Sequence, residues 1–123
     1  MLRPKVTDLR VQLRGAFSES TQVLRRLHGL AAAQGDAQGQ YNLGVMHHDG
    51  EGGLVDVAEA RRLYGLAEEQ GHAMAQNNLG VLHMKGIGGP VNLAEARRLF
   101  GLAAAQGHAQ AQSTLGLMHD KGQ

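Results

Sequence analysis

The residues best suited to chemistry are three histidines, His47, His83 and His119, each 36 positions after the last. Imidazoles repeated in register could ligate a metal or pass a proton. Spacing argues against a shared metal. Equivalent positions on stacked helices lie about 8–10 Å apart, whereas zinc holds each imidazole nitrogen at about 2.0–2.1 Å. The three therefore read as half-buried packing residues between helices. His47-His48-Asp49 forms a local cluster in one copy only, and no His-Glu-x-x-His spacing occurs. Asp49-Gly50-Glu51 begins like a calcium loop, but no Asp/Asn ladder with a twelfth-position glutamate follows.

Nucleophiles are scarce. Ser18, Ser20 and Ser113 are the serines, none in a Gly-x-Ser-x-Gly turn, and the glycine-rich loops lack the Gly-Lys-Ser/Thr of a phosphate cradle. The chain has no cysteine, which removes disulfides, thiolate metal sites and cysteine nucleophiles together. The expectation is a non-enzyme with no catalytic residue, no metal and no cofactor. Arginine doublets recur at 25–26, 61–62 and 97–98. They predict a basic stripe that could grip an acidic partner, or a solvated face on which Glu59 and Glu95 pair with Arg62 and Arg98 three residues on.

What must position these residues is a repeat. Ala58 to Gly86 and Ala94 to Gly122 are identical at 20 of 29 positions, without insertion. A unit this short cannot bury its own apolar face, so successive units must stack and cover one another. Each contains two helical stretches, Asp56 to Gln70 and His72 to Lys85 in the middle copy. Asp56 and Asn92 are placed to cap first turns, with Glu59 and Glu95 three residues on, as a capping box needs. Ser20 takes that place in the first copy, where Val23 replaces the glutamate. Gly35, Gly71 and Gly107 stop the first helix of each pair, and Gly50, Gly86 and Gly122 the second. Gly29, Gly65 and Gly101 fall inside the first helices and are expected to permit close helix packing.

Charge is nearly balanced, 12 basic against 11 acidic residues, so no global field draws the chain to nucleic acid. No aromatics are interleaved for base stacking. No apolar run approaches the roughly 18 residues of a membrane span. Residues 1–21 form a divergent segment with Arg3, Lys5, Arg10 and Arg14 against Asp8. Val6, Leu9, Leu13 and Phe17 are spaced for one helical face. This segment reads as an N-terminal capping helix and lacks the continuous apolar core of a secretory signal. The repeats then run 22–57, 58–93 and 94–123, the last incomplete.

The run Ala75-Gln-Asn-Asn-Leu-Gly-Val-Leu-His83, followed by Gly86, Gly88, Asn92, Ala96, Leu99-Phe100, Ala103-Ala104 and Gly107, resembles the Sel1-like repeat, a relative of the tetratricopeptide repeat. His47, His83 and His119 depart from the tyrosine common in that family, and Leu63 from its tryptophan. The resemblance implies an all-α, right-handed αα-hairpin solenoid acting as a protein-interaction scaffold or adaptor. It also implies that the second helix of each unit lines the inner curved surface.

Comparison between copies separates framework from freedom. On a helical wheel, positions equivalent to Ala75, Leu79, Leu82 and His83 share one face and stay alike. The opposite face differs from copy to copy: Gln38, Met74 and Gln110; Tyr41, Asn77 and Ser113; His48, Met84 and Asp120. Val45, Val81 and Leu117 form its apolar member. These twelve positions are the expected contacts for a protein or peptide partner. Drift on an idle face is the alternative, as is a structural or self-associating spacer, a fragment of a longer array. Leu99, Leu102, Leu115 and Met118 are expected to be partly exposed at the C-terminal end and to offer end-to-end self-association.

Overall fold

A computed structural model describes residues 18–120 of the chain. They form six helices: α1 (Glu19–Ala33), α2 (Ala37–Asp49), α3 (Val57–Glu69), α4 (Ala73–Lys85), α5 (Leu93–Ala105) and α6 (Ala109–Asp120). There is no strand among the described residues. Each helix packs on the next, α1 with α2, α3 with α4 and α5 with α6 as hairpins, and α2 on α3 and α4 on α5 between hairpins. The result is the all-α solenoid expected from the period. The N-terminal segment read as a cap lies outside the described residues up to position 17, as does Gly122.

The helix ends are set by short polar side chains and by glycine. Asp56 Oδ1 accepts the Glu59 amide at 3.0 Å and Asn92 Oδ1 the Glu95 amide at 3.0 Å, each satisfying a first-turn donor that the helix cannot. In the first copy the cap is Ser18 rather than Ser20; its Oγ accepts the Thr21 amide at 3.3 Å. The expectation fails because α1 runs 15 residues against 13 in α3, so the in-register Ser20 falls inside the first turn. Gly71, at φ +82, takes the left-handed conformation that lets α3 turn directly into α4.

Stacking produces a narrow core of Leu, Ala and two large rings. Tyr64 and Phe100 are fully buried, with Ala60, Ala67, Ala75, Leu79, Leu82 and Leu99 around the first and Ala96, Ala103, Ala111 and Met118 around the second. Each ring lies on the bare backbone of the preceding hairpin. A Cβ on Gly44 would stand 2.8 Å from Tyr64 Cε1, and one on Gly80 would stand 2.9 Å from Phe100 Cε1. The glycines that permit close packing are thus in the second helices. At Gly29, Gly65 and Gly101, expected to do this, a Cβ would meet nothing within 4 Å.

Leu99 and Met118 are also corrected: they are 0% and 2% exposed, because Leu99 packs among Tyr64, Leu79 and Leu82 of the preceding hairpin and Met118 among Ala96, Phe100 and Ala103 of its own. Leu102 and Leu115 remain partly exposed. The larger apolar exposure is at the other end, on α1, where Val23, Leu24, Leu27 and Leu30 are 41–56% exposed.

Candidate functional site

Each long loop between hairpins is built around one arginine. Arg25 Nη1 donates to the Glu51 carbonyl at 2.8 Å, and its Nη2 reaches the Leu54 carbonyl at 3.1 Å and His47 Nδ1 at 2.7 Å. One period on, Arg61 repeats the set with Ile87 O at 2.8 Å, Pro90 O at 3.4 Å and His83 Nδ1 at 2.8 Å. A planar fork of fixed donors suits such a cluster of acceptors. Gly53 and Gly89 make the room, since a Cβ at either would come within 2.5–2.6 Å of the guanidinium carbon.

This cradle corrects the basic stripe. The second arginine of each doublet faces water, and in two of the three it is paired: Arg62 with Glu59 at 2.6 Å and Arg98 with Glu95 at 2.7 Å, Val23 standing where a partner for Arg26 would be. The histidine ladder is corrected in part. His47 and His83 are half-buried, but His119 is exposed. No three His, Asp or Glu side chains among the described residues converge so as to hold a metal.

The arginines fix histidine chemistry. Accepting at Nδ1, His47 and His83 must carry their proton on Nε2 and stay neutral. Burial, and then the adjacent Arg25 or Arg61 charge, lowers both below their ordinary value. His72 is lowered by burial, with Asp36 opposing. Its Nδ1 caps α4 by accepting the Ala75 amide at 3.2 Å, while Nε2 donates to Gln38 Oε1 at 2.9 Å. All three bind protons more weakly folded than unfolded, where 6.5 is ordinary. Their contribution to stability is therefore full above that value and lost as pH falls through it toward the folded values. Thermal melts should show the midpoint falling from about pH 7.5 to about pH 5.5. A midpoint that rises on acidification across this window contradicts the assignment.

On the variable face the predicted residues separate into two groups. His28, Tyr41, Asn42, Val45 and Met46 line a cavity of about 330 Å³ with Leu24 and Glu51. Tyr64, Asn77, Asn78, Val81 and Leu82 line a second, of about 220 Å³, with His48 and Gln110 at its edges. Five lining residues of each cavity fall at the same repeat positions, one period apart. The cavity recurs in the first two hairpins, and Tyr41 in one and Asn77 in the other form part of its wall. His48, Asn77, Val81 and Gln110 thus meet around one opening although they come from three helices.

The walls differ in chemistry. In the first cavity Tyr41 packs on Tyr64, with ring centres 5.8 Å apart, and stacks on His72 at 4.9 Å. In the second, Asn77 is 3% exposed and its Oδ1 has no hydrogen-bond partner. The helical wheel missed this burial. Burial also pushes the Tyr64 phenol up to about 12, so it keeps its proton. Val45, Val81 and Met84 are half-buried against the core. Gln38, Met74, Met84, Ser113, Leu117 and Asp120 line neither cavity, and Gln38, Met74, Ser113, Leu117 and Asp120 are exposed.

The Sel1 repeat family model matches residues 37–72 and 73–108, two units of the internal period. Among solved structures, a Sel1 repeat protein from Oxalobacter formigenes is 36% identical with a TM-score of 0.79, over 82% of this chain and 42% of that one. The protective antigen c5321 of uropathogenic Escherichia coli strains, displaying an SLR fold, is 28% identical with a TM-score of 0.81, over 91% of this chain and 25% of that one. The chain thus spans less than half the length of either. Comparison with curated proteins finds no match. With repeat length, hairpin order and family motif in agreement, the chain belongs to the Sel1 repeat family.

Proposed function

We infer that the chain binds an extended polypeptide segment along the row of cavities on its second helices, with no bond made or broken. Sel1 repeats generally serve as protein-interaction modules, and their fold is a non-catalytic scaffold. No helix among the described residues is long and apolar enough to cross a membrane. The observation that carries the reading is the unpartnered Asn77 Oδ1 on the wall of the second cavity. A buried acceptor without a donor costs about 1–3 kcal/mol, and a ligand N–H recovers it once the Asn77 side chain turns Oδ1 toward the opening. The first cavity, with Leu24, Tyr41, Val45 and Met46, suits an apolar side chain. An extended segment would present an apolar residue to one opening and an amide or hydroxyl donor to the next. His48 and Gln110 at the edge of the second cavity, with Gln38, Met74, Met84, Ser113, Leu117 and Asp120 outside both, supply the surround.

Asn77→Leu tests this with two readouts of opposite sign. Removing an orphaned acceptor should leave the thermal midpoint unchanged or raise it by the equivalent of about 1 kcal/mol. A pull-down with this variant, or with Tyr41→Ala and Met84→Ala combined, should lose the proteins that wild type recovers. Recovery of the same proteins by wild type and variants, at equal yield, counts against the groove.

A further inference from the structure

The two ends of the described array carry the two halves of an interface that occurs twice inside it. We propose that the α6 face of one copy receives the α1 face of a second copy, head to tail. Three features define the internal interface. A buried ring lies on a second-helix glycine, Tyr64 on Gly44 and Phe100 on Gly80. A leucine beside each ring, Leu63 or Leu99, is 2% or 0% exposed. A glutamine side chain ties hairpin to hairpin: Gln70 Nε2 donates to Gly35 O at 2.9 Å and to Gln40 Oε1 at 2.9 Å, and Gln106 Nε2 to Gly71 O at 2.9 Å and to Gln76 Oε1 at 2.8 Å.

Each element has an unused counterpart at an end. Gly116 stands in register with Gly44 and Gly80, and a Cβ there would meet nothing within 4 Å. Gln112 stands in register with the buried Gln40 and Gln76 but is exposed, beside Gly107 at the foot of α6. On α1, Leu27 replaces Leu63 and Leu99 yet is 53% exposed, His28 replaces the ring, and the exposed Gln34 replaces Gln70 and Gln106. Leu24, 47% exposed, stands where Ala60 and Ala96 are buried; its extra bulk accompanies the smaller ring of His28. Repeating the internal step therefore seats His28 of the second copy on Gly116. It sets Leu27 beside Leu115 and brings Gln34 to Gln112 and the Gly107 carbonyl. Because the two faces differ, the contact does not close on itself and extends to a third copy by the same step.

Sedimentation velocity on the full chain tests the stacking. Wild type, 13.1 kDa as a monomer, should rise in mass with concentration from the micromolar to the millimolar range without a fixed plateau. Gly116→Leu blocks one face and Leu27→Asp the other. A side chain at Gly116 would meet nothing within 4 Å and Leu27 is 53% exposed, so helical circular dichroism should match wild type. Each variant alone should dissociate at least about tenfold more readily, whereas an equimolar mixture should form a one-to-one dimer and grow no further. A wild type that stays at monomer mass throughout, as when another segment covers α1, overturns the proposal. So do variants that associate like wild type, or a mixture that remains monomeric. Asn77→Leu leaves both end faces intact, so partner capture and stacking can fail separately.

Discussion

Arg61→Ala should lower stability by roughly 2–4 kcal/mol, because hydrogen bonds from a charged donor are each worth about 1.5–3 kcal/mol and two carbonyls plus an imidazole lose theirs at once. In a domain of this size that is a fall in thermal midpoint on the order of 10 °C or more. The neighbouring Arg62→Ala removes the same charge but only an exposed pair with Glu59, and should stay within about 1 kcal/mol of wild type. Arg61→Lys separates geometry from charge. A single ammonium cannot reach Ile87 O, Pro90 O and His83 Nδ1 as a planar fork does, so lysine should recover little. Equal melting of the two alanine variants would show that the loop does not depend on the guanidinium.

The second large effect is a reversal of sign between glycines. Gly80→Ala puts a methyl 2.9–3.1 Å from three atoms of a ring that is fully buried and cannot retreat. Overpacking of this kind costs about 1–3 kcal/mol, more than the roughly 0.5–1 kcal/mol that alanine gains over glycine in a helix interior. The net result should be destabilisation. At Gly65 and Gly101 nothing stands within 4 Å, so the helix term acts alone and alanine should stabilise by about 0.5–1 kcal/mol. Chemical denaturation of the variants in parallel decides the matter. A stabilised Gly80→Ala would mean that Phe100 moves freely, contrary to its complete burial.

Much of this architecture could be read from residue spacing, because its causes are local. Asp56, Asn92, Gly50 and Gly71 act within a few residues of themselves, and a strict period forces neighbouring hairpins to cover one another. Where the cause lay between units, spacing was silent. Arg61 and Arg62 are the same residue type side by side, and only the path of the loop 26–29 residues on decides which one turns inward. Spacing singled out Gly65 for packing and passed over Gly80, whose role shows only once the position of Phe100 is known.

The candidate site divided in the same way. Comparing copies identified the variable positions, and four of them do meet at one cavity. A single helical wheel has one inside and one outside, whereas α4 is packed by its own hairpin and by α5. Asn77 therefore lies buried on the side drawn as open.

The arginine cradle closes each loop onto its own hairpin, while the glutamine link, the ring on glycine and the leucine beside it recur wherever one hairpin joins the next. Duplicating 36 residues in frame would thus copy a finished piece together with both of its connectors, and deleting them would leave matching joints to meet. Length in such a chain can be edited like beads on a string, with no new side chain needed at the splice.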